Sequence, residues 1–291
     1  SVSMGNFNYA TGDSTIALGK ENWAEGASTI AIGFKNHAAG GGSVALGQEN
    51  IAWGTTNFTA GYQNTAGDVT SDKGSGGSAT AMGKYTTATA DASMAINRGT
   101  TASNQAATSM GFRTVADNLG MLAIGVNNAS GLGDTTKDQY YYANGKYTGA
   151  PAGVAFVIGN GDINTNAYQR GDNPSNAFVV KYDGSATLSG DLTVNSDARL
   201  KSNIISLGST LAKLMQIDGK SYTMKSNERV NKIGLLAQDV AKVLPELVKK
   251  SDDSDGTLSV NYQGLIPVLI NAIKEQQEEI KTIRKRINGK S

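Results

Sequence analysis

An eight-residue phrase recurs every fourteen residues near the start of this chain. GDSTIALG ends at Gly19, GASTIAIG at Gly33, GGGSVALG at Gly47 and GTTNFTAG at Gly61. After an insertion of eight residues, Asp68 to Ser75, the register resumes with GGSATAMG at Gly83 and continues through Asn97, Gly111 and Gly125. Strict self-similarity of this kind predicts a solenoid, each repeat forming one coil stacked on the last. Eight coils are expected, with a fragment of a ninth ending at Gly5. At a strand spacing of about 4.8 Å they would span roughly 40 Å.

Each repeat position has its own chemistry. Three residues past the terminal residue stand Asn22, Asn36, Asn50, Asn64, Thr86, Thr100, Thr114 and Asn128, and two further on Ala24, Ala38, Ala52, Ala66, Ala88, Ala102 and Ala116. Stacked coils turn these into ladders, in which small residues fit a narrow interior and Asn or Thr satisfies the turn backbone. In Ile16-Ala17-Leu18, Ile30-Ala31-Ile32 and Val44-Ala45-Leu46 successive residues point to opposite faces of a strand, yet both faces are apolar. One face fills the coil. The other needs a partner, because an exposed apolar stripe on every coil invites aggregation.

Composition removes several function classes. Glycine is 36 of 291 residues with only 4 prolines and no three-residue period, which excludes collagen and favours turn-rich β-structure. Cysteine is absent, so there is no disulfide framework or thiolate metal site, and any oligomer is held non-covalently. His37 is the single histidine, which rules out Ser-His-Asp and Cys-His catalysis and histidine metal clusters. No cofactor and no metal are expected. Residues 1 to 195 carry 10 basic and 14 acidic side chains, and residues 196 to 291 carry 16 and 11. The basic excess of the second part lacks interleaved aromatics, so no nucleic-acid partner is expected. No run of about 18 apolar residues appears, so membrane insertion is not expected either. The chain opens on Ser1 and reads as a segment of a longer polypeptide.

With S-T-I-A-L-G at Ser14 to Gly19, residues 1 to about 130 resemble the left-handed β-roll heads of trimeric autotransporter adhesins. That resemblance implies three rolls packed side by side. Asn97 and Thr59 depart from the pattern and are expected to mark local distortion. Residues 131 to 195 lose the period and carry Tyr140, Tyr141, Tyr142 and Tyr147 with β-like runs at Val154 to Ile158 and Ala177 to Tyr182. They read as a β-rich connector. Its phrases AFVIGNG and NAFVVKYDG look like those of phage tail fibres upstream of a terminal domain. Tyr140 to Tyr142 are candidates for stacking on a sugar, or for ordinary β-packing, and the Asp68 to Ser75 loop is an alternative contact surface.

At residue 196 the composition shifts, with glycine falling to 6 in 96 residues. The run NSDARLKSNI from Asn195, then IGLLAQDV from Ile233, LPELV from Leu244 and VNYQGLIPVLINAIKE from Val260, closely resemble the intramolecular chaperone domain of phage endosialidases, tailspikes and tail fibres. That domain is an auto-processing serine peptidase. The resemblance implies that Ser196 is the nucleophile and Lys201 its base, with the scissile bond next to Ser196. The Ser196–Asp197 bond is preferred over Asn195–Ser196, and the sequence does not decide. A serine hydroxyl needs a neighbour to take its proton, and a lysine does so only when burial or positive charge lowers its pKa from about 10.4. Arg199 is a candidate source of that charge. Five residues apart, the two side chains face opposite sides of a strand and lie about 140° apart on a helix, so a turn or a partner chain must bring them together.

In the last segment Ile266, Leu269, Ile273, Gln276, Ile280, Ile283 and Ile287 alternate three and four apart, a heptad whose isoleucines favour trimers or higher states. Leu265 and Val268 are expected to dock the first turns on the domain. Helices are expected near Leu207 to Met215 and Leu235 to Leu244, and strands near Lys220 to Met224 and Leu258 to Tyr262. The fold class is therefore mainly β: a trimeric left-handed parallel β-roll of 14-residue coils (1–130), a β-rich connector (131–195), then an α+β chaperone domain (196–291) ending in a long coiled-coil-like helix. The implied function is host-surface attachment by a homotrimeric virion fibre, with a bacterial surface receptor, glycan or protein, and upstream tail-fibre or baseplate proteins as partners. The chaperone domain would be released in the host cytoplasm during assembly. A bacterial trimeric adhesin, or the tail of a glycan-degrading tailspike, are the alternatives.

Overall fold

A repeat of fourteen residues returns the backbone to its starting point one strand spacing further along, and this is what the chain does. The computed structural model describes residues 1–70, 77–131, 141–143, 146–148, 153–162, 173–225 and 227–289. It separates into two compact units, Ser1–Val194 and Asn195–Ser291.

In the first unit nine five-residue strands, beginning with Val2–Asn6, Ile16–Lys20 and Ile30–Phe34 and ending with Leu122–Val126, stack in parallel. Two-residue strands from Tyr9–Ala10 to Val115–Ala116 form a second parallel sheet, completing a β-solenoid of about eight turns. Register follows the repeat, with Gly19 opposite Gly33 and Gly33 opposite Gly47. The register carries across the eight-residue insertion, since Gly61 still sits opposite Gly83.

The interior is too narrow for anything large. Ala17, Ala31 and Ala45 on the long strands and Ala24, Ala38 and Ala52 on the short ones are fully buried. The Asn ladder spans the coils: the Asn36 side-chain amide lies 3.0 Å from Asn22 Oδ1, 3.0 Å from the Ile32 carbonyl and 2.7 Å from the Gly47 carbonyl. Its own Oδ1 accepts from the Asn50 backbone N–H at 3.1 Å. Gly33 adopts φ +124°, and a Cβ there would sit 1.9 Å from the Gly47 carbonyl oxygen, so the coil stack itself demands glycine. Ile16, Leu18, Ile30, Ile32, Val44 and Leu46 point outward and remain half-buried or exposed in the single chain.

One expectation about this unit needs correction. Asn97 and Thr59 cause no break in register: Asn97 sits between Gly83 and Gly111, and Thr59 between Ala45 and Ala81. Asn97 holds φ 87°, a left-handed conformation that Asn tolerates, and Thr59 is fully buried with its methyl and hydroxyl in the alanine row. The connector also extends the stack, although its sequence has left the fourteen-residue period. Its strand Val154–Asn160 pairs in parallel with Leu122–Val126, placing Gly159 opposite Gly125. Asn176–Lys181 and Ala186–Leu188 then close the sheet antiparallel. Tyr141–Ala143 pairs with Lys146–Thr148, while Tyr140 and residues 71–75 of the loop lie outside the described residues.

The second unit holds helix α1 (Leu211–Leu214), a hairpin of Lys220–Met224 and Asn227–Gly234, helix α2 (Ala237–Val243), a strand pair Val248–Lys250 and Leu258–Val260, and helix α3 (Leu265–Asn288). Val240, Leu244, Leu247, Leu265 and Val268 form its small core. Along α3 only Leu265, Val268 and Ala272 are buried, all within the first turns. The heptad row Ile266, Leu269, Ile273, Ile280, Ile283 and Ile287 is exposed on the single chain. Among the described residues no helix is long and apolar enough to cross a membrane.

Candidate functional site

The segment that opens the second unit is extended and carries its side chains into solvent, every residue from Asn195 to Leu207 being exposed. One feature interrupts it. Asp197 caps a single 3₁₀ turn, Ala198–Leu200, by accepting a hydrogen bond from the Arg199 backbone N–H at 2.8 Å. The turn closes through Leu200 N–H to the Asp197 carbonyl and Lys201 N–H to the Ala198 carbonyl, both 3.1 Å.

This turn brings the two predicted residues together. Lys201 Nζ lies 2.7 Å from Ser196 Oγ and donates to it. The spacing of five, wrong for a strand and for an α-helix, is right for a strand interrupted by one tight turn. Arg199 is oriented elsewhere: its guanidinium pairs with the Asp197 carboxylate at 2.6 Å. The Arg199 side chain, and then its backbone N–H, hold Asp197 below the usual carboxylate range, and Asp197 in return raises Arg199. The charge that the sequence offered to Lys201 is thus balanced within the motif.

Chemically, the pair is in contact but in open water. Ser196, Lys201 and Arg199 are exposed in the single chain, and a lysine becomes a base only in a site that is buried or net positive. Downstream the segment is anchored by a residue that carried no sequence signal. Glu275 on α3 accepts from Ser209 Oγ at 2.6 Å and from the Thr210 backbone N–H at 2.5 Å, while Thr210 Oγ1 donates to the Val268 carbonyl at 2.8 Å. The Ser209 hydroxyl, then the Thr210 N–H, lower the Glu275 pKa. A cleft lined by Tyr222, Leu236, Leu258 and Tyr262 lies between the hairpin and α2, and neither Ser196 nor Lys201 lines it. No group of three or more metal-ligating side chains occurs among the described residues.

Comparison with known proteins bears on both units. Residues 196–249 match the family model described as chaperone of endosialidase. Residues 1–22, 24–50 and 75–96 match the YadA head domain repeat. The chain thus joins a segment similar to YadA head repeats to a segment similar to the chaperone of endosialidase. The motif Ser196 to Lys201 lies at the start of the matched segment. Among curated proteins the chain is similar to long tail fiber protein Gp37 of Escherichia phage AR1, 34% identical over 105 residues covering 34% of this chain and 10% of that protein. It is 33% identical to the Gp37 of Salmonella phage S16 over 123 residues, 39% of this chain and 16% of the relative. The Gp37 of Enterobacteria phage M1 is 32% identical over 123 residues, 38% of this chain and 49% of the relative. The chain thus spans between a tenth and about half of the length of these relatives.

Proposed function

We propose that this chain is the distal part of a homotrimeric phage tail fibre, carried in the virion for attachment to the bacterial surface. Its C-terminal unit aligns three chains and then releases itself by Ser196–Lys201 proteolysis in the host cytoplasm. The observation that carries this reading is the 2.7 Å contact between Lys201 Nζ and Ser196 Oγ at the head of a chaperone-of-endosialidase domain. The similarity to long tail fiber proteins supports the virion setting.

Three-fold association explains two otherwise unfavourable surfaces. The outward apolar row of the solenoid and the exposed isoleucines of α3 each lack a partner in one chain. Isoleucine-rich heptads favour trimers or higher states, so α3 sets stoichiometry and register for the slower-pairing β-coils upstream. Packing of three chains around the Asn195–Leu207 segment supplies the burial that turns Lys201 into a base. Removing the chaperone afterwards leaves a shaft that cannot easily reassemble once unfolded, which makes its durability kinetic.

The route of attack is written in the bond that breaks. Within one chain, Ser196 Oγ reaches the Asn195 carbonyl through a five-membered ring, giving an ester that water then hydrolyses. Attack on its own carbonyl would need a four-membered ring. Cleavage of Ser196–Asp197, the preferred bond, therefore uses the serine of another copy: its Oγ bonds to the carbonyl carbon, Lys201 takes the hydroxyl proton, the Asp197 nitrogen leaves protonated, and water frees the ester.

On denaturing gels the wild-type chain is expected to split into fragments of about 196 and 95 residues, while Ser196→Ala and Lys201→Ala stay whole. Equal cutting in both variants removes the dyad. Mass measurement of the new termini separates the within-chain from the between-chain route.

A further inference from the structure

The residue after each repeat glycine points outward and builds a ladder along one margin of the solenoid. In register, Tyr62 is followed by Lys84, Arg98 and Phe112 on successive coils. Cations and rings are interleaved. Lys84 Nζ lies 5.1 Å from the Tyr62 ring centre and 5.0 Å from that of Tyr85, and Arg98 and Arg113 lie 5.5 and 5.1 Å from Phe112.

Lys84 and Arg98 are like charges directly opposite one another on neighbouring strands, an arrangement that opposes folding. Neither makes an ion pair with a described residue. The same margin nearer the N-terminus is built differently: Glu21 lies 3.3 Å from Lys20 and 3.7 Å from Lys35. Lys20 and Lys35 have a carboxylate beside them, whereas Lys84 and Arg98 have rings and, among the described residues, no carboxylate. Two like charges that face rings but no carboxylate fit an anion that comes from outside.

The rings narrow the chemistry of that anion. Aromatic side chains offer apolar contact to the C–H faces of a sugar, which a simple inorganic anion does not use. Coils advance by about 4.8 Å, comparable to the advance of one sugar along an extended glycan, so acidic groups on a glycan meet Lys84 and Arg98 in turn. Duplex nucleic acid fits less well, because its bases are stacked inside the helix and leave Tyr62, Tyr85 and Phe112 no apolar face to meet.

We propose that Lys84 and Arg98, flanked by Tyr62, Tyr85 and Phe112, dock an acidic polysaccharide of the target cell surface. The proposal rests on the attachment reading above and names the class of ligand and its place on the shaft. The test is equilibrium binding of the full assembled chain to polygalacturonate, with neutral dextran and duplex DNA as comparison probes, at two salt concentrations. Polygalacturonate is expected to bind and to weaken with salt, and neutral dextran is expected not to bind. Lys84→Gln/Arg98→Gln should lose about tenfold or more in affinity, while Lys20→Gln, whose partner is Glu21, should bind as the wild type does. Unchanged binding by the double variant overturns the site. Duplex DNA binding as tightly as polygalacturonate overturns the ligand class, and dissociation of the assembly in the double variant reassigns the row to contacts between copies. Self-cleavage and subunit stoichiometry are expected to be unchanged in the double variant. Loss of binding specificity with both intact therefore sinks this inference alone, whereas failure of those two assays sinks the attachment reading beneath it.

Discussion

The two units solve the problem of burying a chain in opposite ways. The solenoid satisfies its polar backbone within one copy: each coil hands carbonyls and amides to the next, and the Asn ladder fills the turns. Its side-chain core is little more than stacked alanines. The C-terminal unit has a conventional but small core around Val240 and Val268, and leaves a row of isoleucines on α3 in solvent. A structure made of repeated backbone pairing tolerates small residues and rejects large ones; one made of side-chain packing fails when its large residues shrink.

That contrast breaks first at the repeat glycines. Gly33→Val should destabilise the solenoid by about 4 kcal/mol or more, since the new side chain meets a backbone carbonyl and holds a left-handed φ. A thermal unfolding curve indistinguishable from wild type would show that the coils do not need close approach. In the other unit the matching experiment removes volume. Val268→Ala should cost roughly 2 kcal/mol through the cavity it leaves, read by denaturant unfolding of the cleavage-deficient Ser196→Ala chain.

Smaller effects sharpen the comparison. Thr100 Oγ1 is buried without a hydrogen-bond partner, at a position where earlier coils carry Asn. Thr100→Val should therefore be neutral or stabilise by up to about 1 kcal/mol, whereas destabilisation would mean that the hydroxyl is used. Glu275 provides the smallest and most local effect. Its pKa is lowered by Ser209 and Thr210, so the clasp is fully present above the ordinary carboxylate range and is lost as pH falls through the lowered value. Amide protection factors at Thr210 and Leu211 should fall on acidification, and this pH dependence of the protection should vanish in Glu275→Gln. The same profile in both chains would assign the change to another group.

Legibility in the sequence followed locality. The repeat predicted the register of every coil and its resumption after the insertion, because a fourteen-residue period leaves one way to stack. The β-run at Val154 to Ile158 was legible, but not its place in the stack: Gly159 resumes the register thirty-four residues after Gly125, one repeat plus a twenty-residue detour. A period search fails there, although the phrase Phe156-Val157-Ile158-Gly159 has the repeat's own alternation. The Asn97 and Thr59 departures looked disruptive on paper, yet position in the stack overrode identity.

At the candidate site, residue types alone did not set geometry. Ser196 and Lys201 were named by resemblance, but their contact depends on a 3₁₀ turn that Asp197 caps. Arg199 reads as a positive neighbour of Lys201 until its pairing with Asp197 is seen. Glu275 was invisible, being one of several charged residues on a long helix, and only tertiary folding brings it against Thr210, sixty-five positions away.

By itself, the sequence determined the solenoid, its alanine and asparagine ladders, and the two outward apolar rows, since periodicity alone specifies which residues share a face. Only the tertiary structure decided which rows are buried in a single chain, where the stack ends, and which charges are paired, because those depend on contacts between residues that no local pattern relates.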